Sequence, residues 1–140
     1  MGYSHYFGND KTIPQAQWNK LTKDVRKLVK HLNEEETFIV RESDDTNHPP
    51  IVTAEQIRFN GVEEAGHETF MINRKGENDD FCKTARKPYD IAVATSLILY
   101  SHHVKGVRVN SDGDFEDTEW IDAVKLADSL FGVKPNFELR

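Results

Sequence analysis

The amino-acid sequence predicts an α+β fold: a single domain over residues 1–140, with a small, mainly antiparallel sheet packed by about three helices. Three observations predict it. Short runs of β-branched and aromatic residues lie between Gly, Pro and acidic breaks. Two longer segments repeat apolar residues at steps of three and four, and residues 91–100 carry almost no polar side chain, as a buried helix does.

Residues 3–7 are aromatic-rich and read as a strand ended by Gly8-Asn9-Asp10. From Pro14 the pattern turns helical, with Trp18, Leu21, Val25, Leu28 and Leu32 on one face and Lys20, Lys23, Lys27 and Lys30 on the other, a solvated basic surface. Residues 37–41, 51–53, 56–60 and 69–73 read as an antiparallel meander, with 44–50 and 76–80 as loops. Pro88 suits the first position of the buried helix, because its φ is preset and its missing N–H would have no helical partner. Val107-Arg108-Val109 reads as a strand before a Ser111-Asp112-Gly113 turn. A last helix over 118–131 carries Trp120, Val124, Ala127 and Phe131 and is stopped by Gly132.

The net charge of -6 and a pI near 5.5 weigh against a general nucleic-acid or membrane-surface binder, which needs a broadly basic face. Cys82 is the one cysteine, so an intramolecular disulfide and a multi-cysteine metal cluster are excluded. Its simplest role is that of a small buried hydrophobe. Residues 2–7 lack the cationic start and apolar core of a secretory signal, and residues 91–100 are too few to cross a bilayer, so the expectation is a soluble protein of a reducing cytoplasm.

The chemistry concentrates in Phe81-Cys82-Lys83-Thr84-Ala85-Arg86-Lys87-Pro88-Tyr89-Asp90, where three cations precede a helix whose N-terminal pole is itself positive. Backbone amides with an Arg and Lys cluster form a cradle for phosphate or carboxylate. Solvation, or pairing with Glu77, Asp79 and Asp80, is the alternative for those cations. Tyr3, Tyr6, Phe81 and Tyr89 flank the histidines and these cations and could stack on a base while Lys83, Thr84, Arg86 and Lys87 hold phosphate.

His5 and His67 are candidate acid and base for a phosphodiester if the fold brings them together. His67-Glu68-Thr69 has the H-x-T form of two-histidine phosphoesterases, whereas His5 is followed by Tyr6 and Phe7 with no matching Thr or Ser. His102 and His103 close the buried helix, where partial negative charge favours a cationic cap, and as adjacent residues they point apart and do not pair on a metal. No His-x-x-x-His signature supports zinc, and Asn110-Ser111-Asp112-Gly113-Asp114 is an incomplete calcium ladder. No cofactor and no metal are therefore expected, and there is no P-loop, dinucleotide fingerprint or nucleophile elbow.

The start MGYSHYF, the segment HETF, the run FCKTARKPYD and VNSDG before a Trp-bearing helix resemble a family of small proteins encoded by tailed bacteriophages. The resemblance implies a phage origin, expression in the cytoplasm of the bacterial host and an accessory role, and it implies no reaction. The family generally has no assigned function, but small phage accessory proteins often counter host defence, including by sequestering nucleotide immune signals in positively charged pockets. The resulting expectation is a binder of a small phosphorylated ligand, such as a nucleotide immune signal, through Tyr3, His5, Tyr6, His67, Lys83, Thr84, Arg86, Lys87 and Tyr89. The alternatives are a histidine-dependent phosphodiesterase using His5 and His67, and an interaction module that inhibits a host factor through the basic helix face. A homo-oligomer is compatible with each of them.

Overall fold

The computed structural model describes residues 2–139, apart from the side chains of Glu77 and Asn78. It is α+β, as the sequence predicts. In chain order the elements are β1 (Ser4–Asn9), α1 (Gln15–Glu34), β2 (Ile39–Val40), β3 (Ile51–Val52), β4 (Gln56–Gly61), a single 3₁₀ turn (Glu63–Ala65), β5 (Phe70–Asn73), β6 (Glu77–Lys83), α2 (Asp90–His103), β7 (Arg108–Ser111) and α3 (Thr118–Phe131).

The strands form two small antiparallel sheets in place of one. The first has the order β6-β1-β7, with Tyr6 opposite both Phe81 and Asn110. The second is built on β4: β3 and β5 both pair with Ile57 and Arg58, and β2 pairs with Asn60 and Gly61. The expected meander is corrected here, since β2 and β3 do not pair with each other and each uses β4 as its partner.

Helix α2 is the centre of the core. Residues from Ala92 to Ser101 are all buried, and α1 and α3 pack against it. The buried stripe of α1 is Trp18, Leu21, Thr22, Val25, Leu28 and Leu32, so the helical spacing in the sequence marks the packed face. Trp18 retains a partner for its indole N–H, which donates to Thr53 O at 2.8 Å. His103 Nε2 and Asp24 Oδ2, 2.7 Å apart, join the end of α2 to α1, so His103 serves as a tie between helices.

Two other expectations are corrected. Of residues 76–80, read as a loop, all but Gly76 belong to β6; its acidic residues suit an edge strand open to water, and pairing with β1 outweighs their low strand propensity. Helix α2 begins at Asp90, not at Pro88, because a tight turn intervenes in which the Lys87 N–H donates to Thr84 O at 3.0 Å. Helix α3 ends as expected, with Gly132 at φ 65° and its N–H donated to Asp128 O.

Candidate functional site

Alternation along β1 sends His5 and Phe7 inward and Tyr6 outward, and this divides the expected site residues into two groups. The inner group closes around His5, which is 0% exposed. Ser111 Oγ accepts the Trp120 indole N–H and the Gly113 N–H, each at 3.0 Å, so its own proton is left for His5 Nδ1 at 2.8 Å. That places the His5 proton on Nε2, which donates to Asp90 Oδ1 at 2.7 Å. The Thr84 hydroxyl donates to the same carboxylate oxygen, while Asp90 Oδ2 is buried with no hydrogen-bond partner among the described residues.

Ser111, His5 and Asp90 thus have the connectivity of a nucleophile, base and orienting acid. Their surroundings argue for a structural role. A serine nucleophile needs a free lone pair and an approach from solvent, yet both lone pairs of Ser111 are used, the residue is 9% exposed and His5 is sealed. The network joins β1, β7, α2 and α3 at one point. Gly113 belongs to it through close approach, since a Cβ there would overlap Tyr3 Oη and lie 2.6 Å from Asp117 Oδ2.

Asp90 also explains what sits at the N-terminal pole of α2. Its own carboxylate occupies the first turn, the Asp90 N–H donates to Lys87 O at 2.8 Å and the Ala92 N–H to Tyr89 O at 2.9 Å. The positive pole is therefore neutralised from within the chain.

The turn before α2 contains two successive left-handed residues that are not glycine, Ala85 at φ 52° and Arg86 at φ 58°. This is a type I′ geometry, normally supplied by Asn and Gly. It aims Arg86 back over the Tyr3 ring, with the guanidinium carbon 4.0 Å from the ring centroid, and Nη1 reaches Glu119 Oε1 at 2.6 Å. Arg86 thus bridges to α3 instead of pairing with Asp79 or Asp80, and the Glu77 side chain, the third expected partner, lies outside the described residues. Lys83 and Lys87 have no carboxylate within 4.0 Å among the described residues.

The outer group stands on the solvent face of the first sheet. Tyr6 and Phe81 are cross-strand neighbours, 43% and 57% exposed, with ring centroids 6.4 Å apart and planes tilted by 36°. Lys83 follows two residues after Phe81 on the same face, and Asn110 flanks Tyr6 from the other side. Arg108 shares this face and is engaged by Asp10 and Asp79 at 3.1 and 3.5 Å. The Tyr6 hydroxyl donates to Asp112 Oδ1 at 3.3 Å.

The remaining candidates are dispersed. Tyr89 is buried and its hydroxyl donates to Glu68 O, while Tyr3 lies beneath Arg86. Burial, with the Asp90 carboxylate next in effect, raises the Tyr3 phenol above its ordinary range; burial first and then neighbouring Cys82 raise that of Tyr89. Burial also pushes the Cys82 thiol up to about 12, the state of an inert thiol. His67 is exposed in the connection before β5, across β6 from His5, so the two imidazoles do not converge. Its backbone N–H is held by Asn60 Oδ1 at 3.1 Å, and the Asn60 amide donates to His67 O and Thr69 Oγ1.

Sequence reasoning missed Ser111, Trp120 and Asn60. The sequence places Ser111 in a turn, whereas it ends β7, where alternation with Val109 turns it inward; Trp120 carries only the signal of helical spacing, and Asn60 none beyond its place at a strand end. Among the described residues no group of three or more His, Cys, Asp or Glu side chains is arranged to hold a metal, and no helix is long and apolar enough to cross a membrane. Comparison of the chain with protein-family models, with curated proteins and with solved structures finds no match.

Proposed function

We propose that this protein binds a small phosphorylated ligand of the nucleotide class on the outer face of its β6-β1-β7 sheet. A base would lie against Tyr6 and Phe81, and the Lys83 amine would meet a phosphate. One observation carries the reading: two large aromatic rings stand exposed and adjacent on paired strands beside a lysine with no carboxylate partner among the described residues, where burial would be the ordinary fate of such rings. Stacking of a base on an aromatic side chain contributes about 1–3 kcal/mol and tolerates different bases. Asp79 and Asp112 border the patch and the chain is acidic overall, which favours a small ligand over a long polyanion. The phage origin implied by the resemblance points to a host nucleotide signal, held in the bacterial cytoplasm.

The test is calorimetric titration with a panel of mononucleotides and cyclic dinucleotides, followed by recovery of the ligand from denatured protein. Saturable binding that Phe81→Ser and Tyr6→Ser each weaken, with the ligand returned intact, supports the reading. Absence of binding at about 1 mM of every member of the panel overturns it.

A rival is inhibition of a host protein through the basic face of α1, favoured by the exposure of Lys20, Lys23 and Lys30 without an ion pair among the described residues. It predicts loss of function on charge reversal at Lys23 and Lys27, with Phe81→Ser silent.

A further inference from the structure

An apolar groove of about 480 Å³ lies on a different part of the molecule, between α3 and the chain that follows it. On α3 the core stripe is Trp120, Ala123 and Ala127, while Ile121, Val124 and Lys125 form the adjacent stripe at helical spacing. The facing wall is the segment containing Pro135 and Phe137, with Phe115 closing one end. That wall is fixed in place. The Asn136 N–H donates to Ser101 Oγ at 3.2 Å, and the Phe137 ring packs on Trp120 and Phe115 at centroid distances of 5.7 and 5.8 Å.

Five of the lining residues are apolar, and Ile121 is among the few exposed large hydrophobic side chains. The two charged lining residues are both lysines, Lys125 and Lys134. Lys134 has only a loose contact with Asp128, at 3.6 Å, and Lys125 has no carboxylate within 4.0 Å among the described residues. A volume of this size falls in the range of small-molecule sites. Lysine stems lie readily along apolar walls while their ammonium groups stay at the rim.

We infer that this groove binds a small amphiphilic anion, an acyl or aryl body between α3 and the C-terminal wall with its anionic head between Lys125 and Lys134. The apolar lining supplies the area that a hydrocarbon body removes from water, and the paired cations select a charged head over a neutral one. The site shares no residue with the outer sheet face and stands independently of the nucleotide reading.

The probe is sodium decanoate titrated into the full chain by two-dimensional amide NMR, with decanol as the uncharged control. Saturable one-to-one shifts are expected around Ile121, Val124 and Phe137. K125E with K134E weakens decanoate by about tenfold and leaves decanol within about twofold, and I121D weakens both ligands. All three substituted residues are exposed, so thermal melts that match the parent protein show that the fold is kept. No saturation by about 5 mM decanoate, or an equal response of decanoate and decanol to charge reversal, overturns the inference. Saturable binding of an acidic, leucine-anchored peptide where decanoate fails also overturns it, in favour of a polypeptide partner.

Discussion

His5 Nε2 lies 2.7 Å from Asp90 Oδ1 with both side chains buried, and Thr84 and Ser111 complete the chain of donors around them. Removing the Asp90 carboxylate leaves the His5 Nε2–H and the Thr84 hydroxyl without their acceptor. Asp90→Ala is expected to lower unfolding free energy by about 2–4 kcal/mol. Ser111→Ala, which leaves two N–H donors without an acceptor, should cost about 2–3 kcal/mol. Urea unfolding checks both, and a loss below about 1 kcal/mol for Asp90→Ala would show that the network does not hold the fold.

The turn ahead of α2 allows an unusual stabilising substitution. Ala85 sits at φ 52°, where an L side chain costs about 1–2 kcal/mol and glycine costs almost nothing. Glycine also gains freedom in the unfolded chain, which offsets part of the benefit. Ala85→Gly should therefore stabilise by about 0.5–1 kcal/mol, seen as a melting temperature higher by about 2–4 °C. Arg86→Gly relieves similar strain but removes the contact with Tyr3 and the bond to Glu119, so it should bring no gain.

Much of the architecture was legible in periodicity. Helix α3 matches its expected bounds, α1 its buried stripe, and α2 its all-apolar core, because each pattern is local to its element. Strand β6 was hidden, since its first residues are acidic and its strand character comes from pairing with β1, distant in sequence. The candidate site was legible as composition and opaque as geometry. The sequence places His5, Thr84 and Asp90 far apart along the chain or beside cations, and only the fold turns them inward while leaving Tyr6, Phe81 and Lys83 outside.

Three buried acids make the protein sensitive to alkali. Cys82 moves from 9.0 up to about 12, and Tyr3 and Tyr89 both rise above 10.0. The unfolded chain loses these protons at lower pH than the folded chain does. The stabilisation is therefore complete below pH 9 and is lost as pH climbs through the folded values, with a maximum slope of about 1.4 kcal/mol per pH unit for each group. Denaturant midpoints should stay level to about pH 8.5 and then fall, and Cys82→Ala should delay the onset to about pH 9.5. Native Cys82 should resist iodoacetamide near pH 8 unless the chain unfolds.

The outer face should separate binding from stability. Tyr6 and Phe81 are exposed, so Tyr6→Ser and Phe81→Ser are expected to change unfolding free energy by about 0.5 kcal/mol or less. Each should cost about 1–3 kcal/mol of nucleotide affinity. Parallel chemical melts and titrations of the same preparations check this, and equal losses in both would assign the rings to the fold.

Strand β1 precedes both of its partners and can be completed only after they appear. Strands β6 and β7 lie far downstream of it, and His5 meets Ser111 across 106 residues of sequence. Closing so long a loop comes before any reward from the contacts it permits. During synthesis the aromatic N-terminal segment therefore has no native edge to join, while α1 can form as soon as it emerges. A permuted chain that starts at α1 and attaches β1 behind α3 would shorten that wait, and its refolding rate would report how far the delay of this one strand governs the arrival of the whole domain.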